Sequence, residues 1–166
     1  YPVITNFFIS FTNKHLIYQG YKFVGFENYV TILKEEIFTK ALINTFVFTF
    51  ASIFFQLAIG LVTALILNKQ LKGIIFFRLA LIIPYAFPPI VIALLWKWLL
   101  SKMYGIYNYF LINLNIIEQP IPWLGHPDFS MTAVVVVNVW FGFPLFTLGI
   151  LAGLQSIPSE QYEVAK

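Results

Sequence analysis

A single amide side chain lies deep inside a long apolar segment near the end of the sequence. It begins a set spaced i, i+3, i+4 and i+7, the spacing of one helix face: Asn138, Phe141, Gly142 and Leu145. An amide donates and accepts hydrogen bonds, so it can bind a polar solute or a neighbouring helix. After Pro158 the sequence becomes polar and charged. This combination indicates a transport pathway joined to a partner-docking element.

The composition places these residues in a membrane. Hydrophobic residues make up 60% of the 166 residues and charged residues 10%, whereas a soluble domain is about one quarter charged. The sequence therefore predicts an all-α, polytopic helical membrane protein. The net charge of +3 is scattered without a basic run, which argues against a nucleic-acid partner. The absence of cysteine excludes thiol chemistry and disulfides within this sequence.

Groups that would support catalysis or ion coupling are missing from the apolar segments. Neither His15 nor His126 has a second ligand at helical spacing, so no metal site is expected. All seven acidic residues lie in loops or in the final polar stretch, which leaves no carboxylate for an intramembrane proton relay. No phosphate-binding glycine motif is present, so any ATP is expected on another chain. No cofactor is expected, and the protein is not predicted to be an enzyme.

Long uncharged runs predict the membrane spans. Since a spanning helix needs about twenty apolar residues, complete spans are expected at 41–67, 74–100 and 131–157. Residues 1–11 are too few to cross alone and are interpreted as the end of a span. Because the sequence starts without Met, it is expected to be an internal fragment of a longer protein and the fold a partial domain.

The segments between the spans predict a surface helix and an orientation. Residues 24–38 repeat apolar side chains at helical spacing, which predicts a surface amphipathic helix that either lies on the membrane or packs on its own protein. Residues 68–78 carry three basic residues and no acidic one, the pattern of a cytoplasmic loop. With that orientation, residues 101–130 lie outside, and the chain is cytoplasmic again from residue 155.

Small and polar residues in the first complete span follow steps of three and four, so they form one stripe. They are Thr45, Thr49, Ser52, Gln56, Gly60 and Thr63. Lipid-facing positions would not retain a glutamine, so the stripe is expected to face protein or a cavity. Such residues commonly pack helices together in lipid, which favours helix packing over pore lining.

Three prolines lie near the centre of the second complete span. Pro84, Pro88 and Pro89 remove backbone donors, so they are predicted to break this helix at mid-membrane. Broken helices at this depth are common in transporters, where the freed carbonyls line a cavity. A kink with no substrate contact is the alternative.

Motifs along nearly the whole sequence resemble one family. In order they are VGFENYV, LNKQLKG, FRLALIIPYAFPP, YGIYN, NVWFGFP and LAGLQSIPSEQYEVAK. Together they are similar to the permease subunits of binding-protein-dependent ABC importers, in the maltose-type carbohydrate-uptake branch. The resemblance implies the fold of an ABC importer type I permease.

The ending of the sequence resembles the opening of the EAA motif of these permeases. In the family, this motif forms a cytoplasmic coupling helix that docks on the ATPase subunit, so residues 158–166 are expected to begin that helix. The residues carried over to coupling are Pro158, Ser159, Tyr162, Glu163, Val164 and Ala165. Val164 stands where the family usually has alanine.

The Asn138 face also has a counterpart in the family. Maltose-type permeases bind the sugar near mid-membrane through the asparagine of this segment and the residues three, four and seven positions later. The resemblance therefore implies substrate binding by Asn138, Phe141, Gly142 and Leu145. Leu145 replaces an aromatic residue of the maltose permease, so one stacking contact is lost. A structural hydrogen bond from Asn138 to a neighbouring helix is the alternative.

The resemblance implies a membrane-spanning permease for ATP-driven uptake of a sugar or related carbohydrate. Its expected partners are an ATPase subunit dimer, a second homologous permease, an extracytoplasmic solute-binding protein and membrane lipid. The expected location is the inner membrane of a bacterial or archaeal cell. Three other interpretations stay open: a secondary carrier with proline-broken helices, an ABC importer permease for a non-sugar solute, and a membrane scaffold that does not transport.

Overall fold

The computed structural model describes residues 1–15, 17, 20–69 and 73–158. Every regular element in these ranges is helical, which confirms the all-α class. A 3-10 helix, Ile83–Ala86, follows the fourth of seven α-helices. The α-helices are α1 (Pro2–Ile9), α2 (Glu27–Lys34), α3 (Glu36–Leu67), α4 (Ile74–Ile82), α5 (Pro89–Leu99), α6 (Ile106–Asn113) and α7 (Ser130–Gln155).

Two of these helices are long and apolar enough to cross a membrane by themselves. They are α3, with 32 residues, and α7, with 26. The segments Ile74–Ala86 and Pro89–Leu99 are long and apolar enough to cross only if they are taken together. They are bent by 96° where they meet. The described residues therefore contain up to three spans, as expected of a polytopic helical membrane protein.

The chain divides into two compact units, Tyr1–Val47 and Phe48–Lys166. In the first unit, α2 is hydrogen-bonded to the residues that follow α1. The Nδ2 of Asn28 donates to the carbonyl oxygens of Ser10 and Thr12 at 2.8 and 2.9 Å. The hydroxyl of Tyr29 lies 2.6 Å from the hydroxyl of Ser10. These bonds favour the interpretation in which the surface helix packs on its own protein.

The surface helix is shorter than the predicted range 24–38. Glu35 has an extended backbone with ψ 121°, which ends α2 at Lys34. The next helix begins at Glu36, so Ile37 belongs to α3 although its spacing continues that of α2. Before the helix, Gly25 has a φ of +57°, a backbone conformation that glycine adopts without strain.

In the second unit, α3 and α7 run side by side in the same direction. A Cβ atom built at Gly60 would lie 2.8 Å from the Cβ of Phe146 and 3.1 Å from the backbone nitrogen of Thr147. Further along both helices, Ala64 and Leu67 form a buried cluster with Leu151. Later residues of α3 contact later residues of α7, so the two helices are parallel. Their C-terminal ends therefore lie at the same end of the helix pair, as the predicted topology requires.

The buried side of α3 is the middle of the predicted polar stripe. Ser52, Gln56 and Gly60 are buried, and the stripe continues with Ala64 and Leu67. Its first members, Thr45 and Thr49, are exposed, and Thr45 donates its hydroxyl to the carbonyl of Ala41 within its own helix. The stripe is therefore buried in its central and C-terminal part and exposed at its start.

The predicted span 74–100 is divided at its prolines. Pro84 lies in the 3-10 helix, and Phe87 has an extended backbone, as expected of a residue that precedes proline. Pro89 is the first residue of α5, where its missing N–H has no helical partner to lose. The break therefore arises because prolines end one helix and begin another, and its angle is far larger than a proline kink within a continuous helix.

The segment between α5 and α7 is organised around a buried asparagine. The Nδ2 of Asn108 donates to the carbonyl oxygens of Ser101 and Ile121, and its Oδ1 accepts from the Ile121 N–H at 3.1 Å and the Trp123 indole N–H at 2.9 Å. An amide has two donors and two acceptor sites, so Asn108 is fully hydrogen-bonded. The indole of Trp123 also packs edge-on against Tyr107, with ring centroids 5.3 Å apart.

The close approach at Gly60 predicts a large effect of adding one methyl group. The variant Gly60→Ala is expected to lose about 1–3 kcal/mol of unfolding free energy, because α3 and α7 must separate. The thermal unfolding midpoint of the full-length subunit in detergent measures this effect.

The matched control is Gly149→Ala in α7, where a Cβ atom would meet nothing within 4 Å. This control is expected to unfold at the same temperature as the parent or slightly higher, since alanine favours helix. Equal midpoints for the two variants would contradict the close packing at Gly60.

Candidate functional site

The amide of Asn138 meets a second amide from α3. The Nε2 of Gln56 donates to the backbone carbonyl of Asn138 at 3.0 Å and to its side-chain Oδ1 at 2.8 Å. Gln56 is buried, whereas Asn138 is half-buried. The two bonds use both donors of the Gln56 amino group. The carbonyl oxygen of Gln56 and the amino group of Asn138 take no part in these bonds.

Gly142 lies one turn beyond Asn138 and allows this contact. A Cβ atom at position 142 would collide with the Gln56 amide, lying 2.6 Å from its Cδ and closer to its Nε2. The space that glycine provides on this face is therefore occupied by the Gln56 side chain. In this conformation, Gly142 makes room for a side chain of α3.

Phe141 borders a small cavity between α5 and α7. Its ring packs against that of Tyr85 with the centroids 5.1 Å apart and the planes tilted by 31°. The cavity has a volume of about 180 Å³ and is lined by Asn138 and Phe141 from α7 and by Pro89 and Ile92 from α5, among others. An amide and an aromatic ring thus line one cavity beside the proline break.

The other residues of this part of α7 have different surroundings. Leu145 is 63% exposed, so it contributes an apolar surface to this side of the helix. Trp140 packs edge-on against Trp96 with centroids 5.4 Å apart. Pro144 is fully buried inside the helix. The structure thus brings Asn138, Phe141 and Gly142 against neighbouring elements and leaves the side chain of Leu145 largely exposed.

The residues predicted to couple to an ATPase follow the end of α7. Pro158 is exposed and lies three residues after the last helical residue, Gln155. The other predicted coupling residues lie outside the described residues: Ser159, Tyr162, Glu163, Val164 and Ala165.

Sequence reasoning misses two contributors to this site. The sequence predicts Gln56 in a helix-packing stripe, and its position between Asn138 and Gly142 depends on the register of α3 against α7. Tyr85 lies within the proline-rich segment and reaches Phe141 because the chain bends there. The polar stripe on α3 is the available signal for Gln56, whereas no spacing in the sequence relates Tyr85 to Phe141.

The fold defines a helical membrane protein with a broken span. Residues 56–166 match the family described as the binding-protein-dependent transport system inner membrane component. The match covers more than half of the chain, and the chain belongs to this family. It is a multi-pass membrane protein.

Curated relatives and solved structures agree with this assignment. The trehalose/maltose transport system permease protein of Thermococcus litoralis is 37% identical over 164 residues, covering 99% of this chain and 55% of the relative. The galactooligosaccharides transport system permease protein of Bacillus subtilis is 32% identical, with coverages of 99% and 41%. The chain therefore spans about half the length of the curated relatives that it matches.

A solved structure supports the same fold. A chain in the crystal structure of a bacterial ABC transporter involved in the import of the acidic polysaccharide alginate matches with a TM-score of 0.81 and 21% identity. The match covers 99% of this chain and 55% of that chain. The permease fold predicted from the sequence is thereby confirmed.

The Gln56–Asn138 contact predicts a measurable coupling between the two side chains. In a double-mutant cycle of Gln56→Ala and Asn138→Ala, we expect an interaction free energy of about 0.5–1.5 kcal/mol, the range for hydrogen-bonded side chains inside a membrane protein. Unfolding of the full-length subunit, monitored in detergent, gives the four free energies.

A second cycle pairs Gln56→Ala with Asn113→Ala. The Asn113 side chain donates to the carbonyl of Tyr109 within its own helix, so these two changes are expected to be additive. Additivity in the Gln56–Asn138 cycle as well would show that the two amides do not stabilise one another.

Proposed function

We propose that this chain forms part of the translocation pathway of an ATP-driven importer for a sugar or related carbohydrate. Its family membership and its relatives, which are named as trehalose/maltose and galactooligosaccharide permeases, support this proposal. ATP is hydrolysed by a separate ATPase dimer. A second homologous permease completes the pathway, and an extracytoplasmic solute-binding protein delivers the substrate to it. The complex lies in the inner membrane of a bacterial or archaeal cell.

The observation that carries the proposal is the pairing of amides with aromatic rings beside the broken span. The amino group of Asn138 lies outside the bond between the two amides, and Asn138 lines the cavity, so it offers two donors to hydroxyl groups. Phe141 and Tyr85 offer ring surface for the apolar faces of a sugar. Apolar walls with a few placed polar groups are the usual composition of a small-molecule site.

In this proposal the four residues of the α7 face have distinct roles. Asn138 binds a hydroxyl group, and Phe141 stacks on a sugar ring. Gly142 admits Gln56, so that the two amides stay together next to the substrate. Leu145 forms an exposed apolar wall further along the same helix.

Helix α7 links this site to the segment proposed to dock on the ATPase. It is helical from Ser130 to Gln155, so a displacement at its C-terminal end moves Asn138 as well. We assign residues 158–166 to the start of the coupling helix. When ATP closes the ATPase dimer, this segment transmits the movement, and the bent pair at Pro84, Pro88 and Pro89 repacks around the solute. Such gating is a two-state change biased by the contacts made in each state.

The substrate role of Asn138 is tested by comparing it with its hydrogen-bond partner. In vesicles containing the full-length transporter, Asn138→Ala is expected to reduce sugar uptake about tenfold, the effect of one lost hydrogen bond of ~1.4 kcal/mol. Gln56→Ala removes the same bond between the helices and is expected to have a smaller effect on uptake. The ATPase subunits are expected to co-purify with both variants.

Asn113→Ala makes the same chemical change at an exposed asparagine and is expected to leave uptake unchanged. Equal losses of uptake in Asn138→Ala and Gln56→Ala, with no further loss in the double variant, would assign Asn138 a structural role. Loss of the ATPase from Asn138→Ala would lead to the same conclusion.

The coupling role is tested by cross-linking, which the absence of cysteine in this sequence makes straightforward. In a full-length protein with any other cysteine replaced, we expect Ala165→Cys to cross-link to a single cysteine on the ATPase surface. The yield should change between nucleotide-free and ATP-bound membranes, because docking follows nucleotide state. A properly inserted protein that gives no cross-link with any ATPase position would favour a secondary carrier.

A further inference from the structure

A large apolar groove lies on the second unit, away from the Asn138 cavity. It has a volume of about 690 Å³ and is bounded by α3, α4 with the following 3-10 helix, and α7. Among the residues that line it are Ile66 and Leu67 from α3, Phe77 and Leu81 from α4, and Phe143 from α7. Its volume falls in the range of small-molecule sites, roughly 300–1,000 Å³.

The residues that line the groove are almost all apolar. The hydroxyl of Thr63, a polar group on the wall, already donates to the carbonyl of Ile59 at 2.7 Å. Apolar cavities of this kind stay dry and take up apolar molecules. An acyl chain therefore fits the groove better than water or a sugar does.

A basic side chain lies at the edge of the groove and is hydrogen-bonded to a residue that lines it. Ile74, Phe77, Ala80 and Leu81 line the groove, and Arg78 lies at the edge of this face, four residues after Ile74 and three before Leu81. The Nη2 of Arg78 donates to the carbonyl oxygen of Leu67, at the end of α3, at 3.2 Å. The guanidinium is thus held at the end of α3 that borders the groove.

The charge of Arg78 is not neutralised by the described part of the chain. No carboxylate pairs with it among the described residues. Its Nε is enclosed without a hydrogen-bond partner there, so an anion would have to bind at the two Nη groups. The sequence 68–78 adds Lys69 and Lys72 without an acidic residue, although Lys72 lies outside the described residues.

We propose that this groove binds an anionic phospholipid, with an acyl chain between α3, α4 and α7 and the phosphate on the Nη groups of Arg78. Basic pockets between membrane helices on the cytoplasmic side are suited to acidic lipid head groups. The bound lipid joins the end of α3 to the start of α4, next to the bent pair. The residues that line this groove differ from those that line the Asn138 cavity, and the test uses lipid binding instead of uptake.

The test measures the lipid retained by the purified full-length transporter in detergent, by mass spectrometry under non-denaturing conditions. The probes are dioleoylphosphatidylglycerol, which is anionic, and dioleoylphosphatidylcholine, which is not. We expect the parent to prefer phosphatidylglycerol. Arg78→Gln should weaken its binding about fivefold, the effect of one basic residue at ~1 kcal/mol, whereas Arg78→Lys should retain most of the preference.

Two control variants distinguish the effect of the Arg78 charge from the effect of filling the groove. Lys97→Gln removes an exposed basic residue near the other end of the bent pair and should leave the preference intact. Ala80→Phe places a ring in the groove and should reduce binding of phosphatidylglycerol. Ala58→Phe makes the same change at an exposed position of α3 outside the groove and should not.

Three results would overturn the proposal. The first is an equal loss of phosphatidylglycerol binding in Arg78→Gln and Lys97→Gln. The second is an unchanged affinity in Ala80→Phe, which would place the acyl chain elsewhere. The third is a parent that retains no phosphatidylglycerol while Ala80→Phe fails to assemble, which would show that another protein segment fills the groove.

Discussion

The packing of α3 on α7 is the contact on which the rest of the second unit depends. Inside a membrane, lipid is as apolar as leucine, so helices associate through close backbone approach and interhelical hydrogen bonds. This pair uses both devices within two helical turns. Gly60 brings the α7 backbone near, and Gly142 admits the Gln56 amide, which then bonds to Asn138. Further along, the buried cluster at Leu151 continues the same seam. The site and the groove are therefore built on one helix pair.

Helices α3 and α7 are continuous, whereas the membrane-length segment between them is broken. A continuous helix from Ile74 to Leu99 would present one straight face to its neighbours. The prolines replace it with two short helices at 96°, so Tyr85 reaches Phe141 while α5 borders the cavity at Asn138. Beyond α5, the four hydrogen bonds of Asn108 in α6 hold the irregular residues before and after that helix. Polar groups with complete sets of partners thus fix the irregular parts of the chain.

Much of this architecture follows from patterns that act locally. The uncharged runs predict the positions of α3 and α7, because an apolar helix is formed by consecutive residues that can be read directly from the sequence. The three prolines predict a break for the same reason. The sequence does not predict the bend angle, the partner of Asn138 or the contact between Tyr85 and Phe141, since each depends on how separate helices are placed. The predicted surface helix is longer than α2, because the spacing of Ile37 matches that of α2 while the extended backbone of Glu35 ends the helix.

The parallel direction of α3 and α7 has a consequence for the bent pair. Two spans can cross a membrane in the same sense only if the chain between them crosses an odd number of times. Within the described residues, the segment available for that return is Ile74–Ala86 with Pro89–Leu99. If α3 and α7 both cross, parity requires the bent pair to be a full crossing, because a re-entrant loop would return to the face it entered. The two ends of the bent pair would then lie on opposite faces, with the prolines between them.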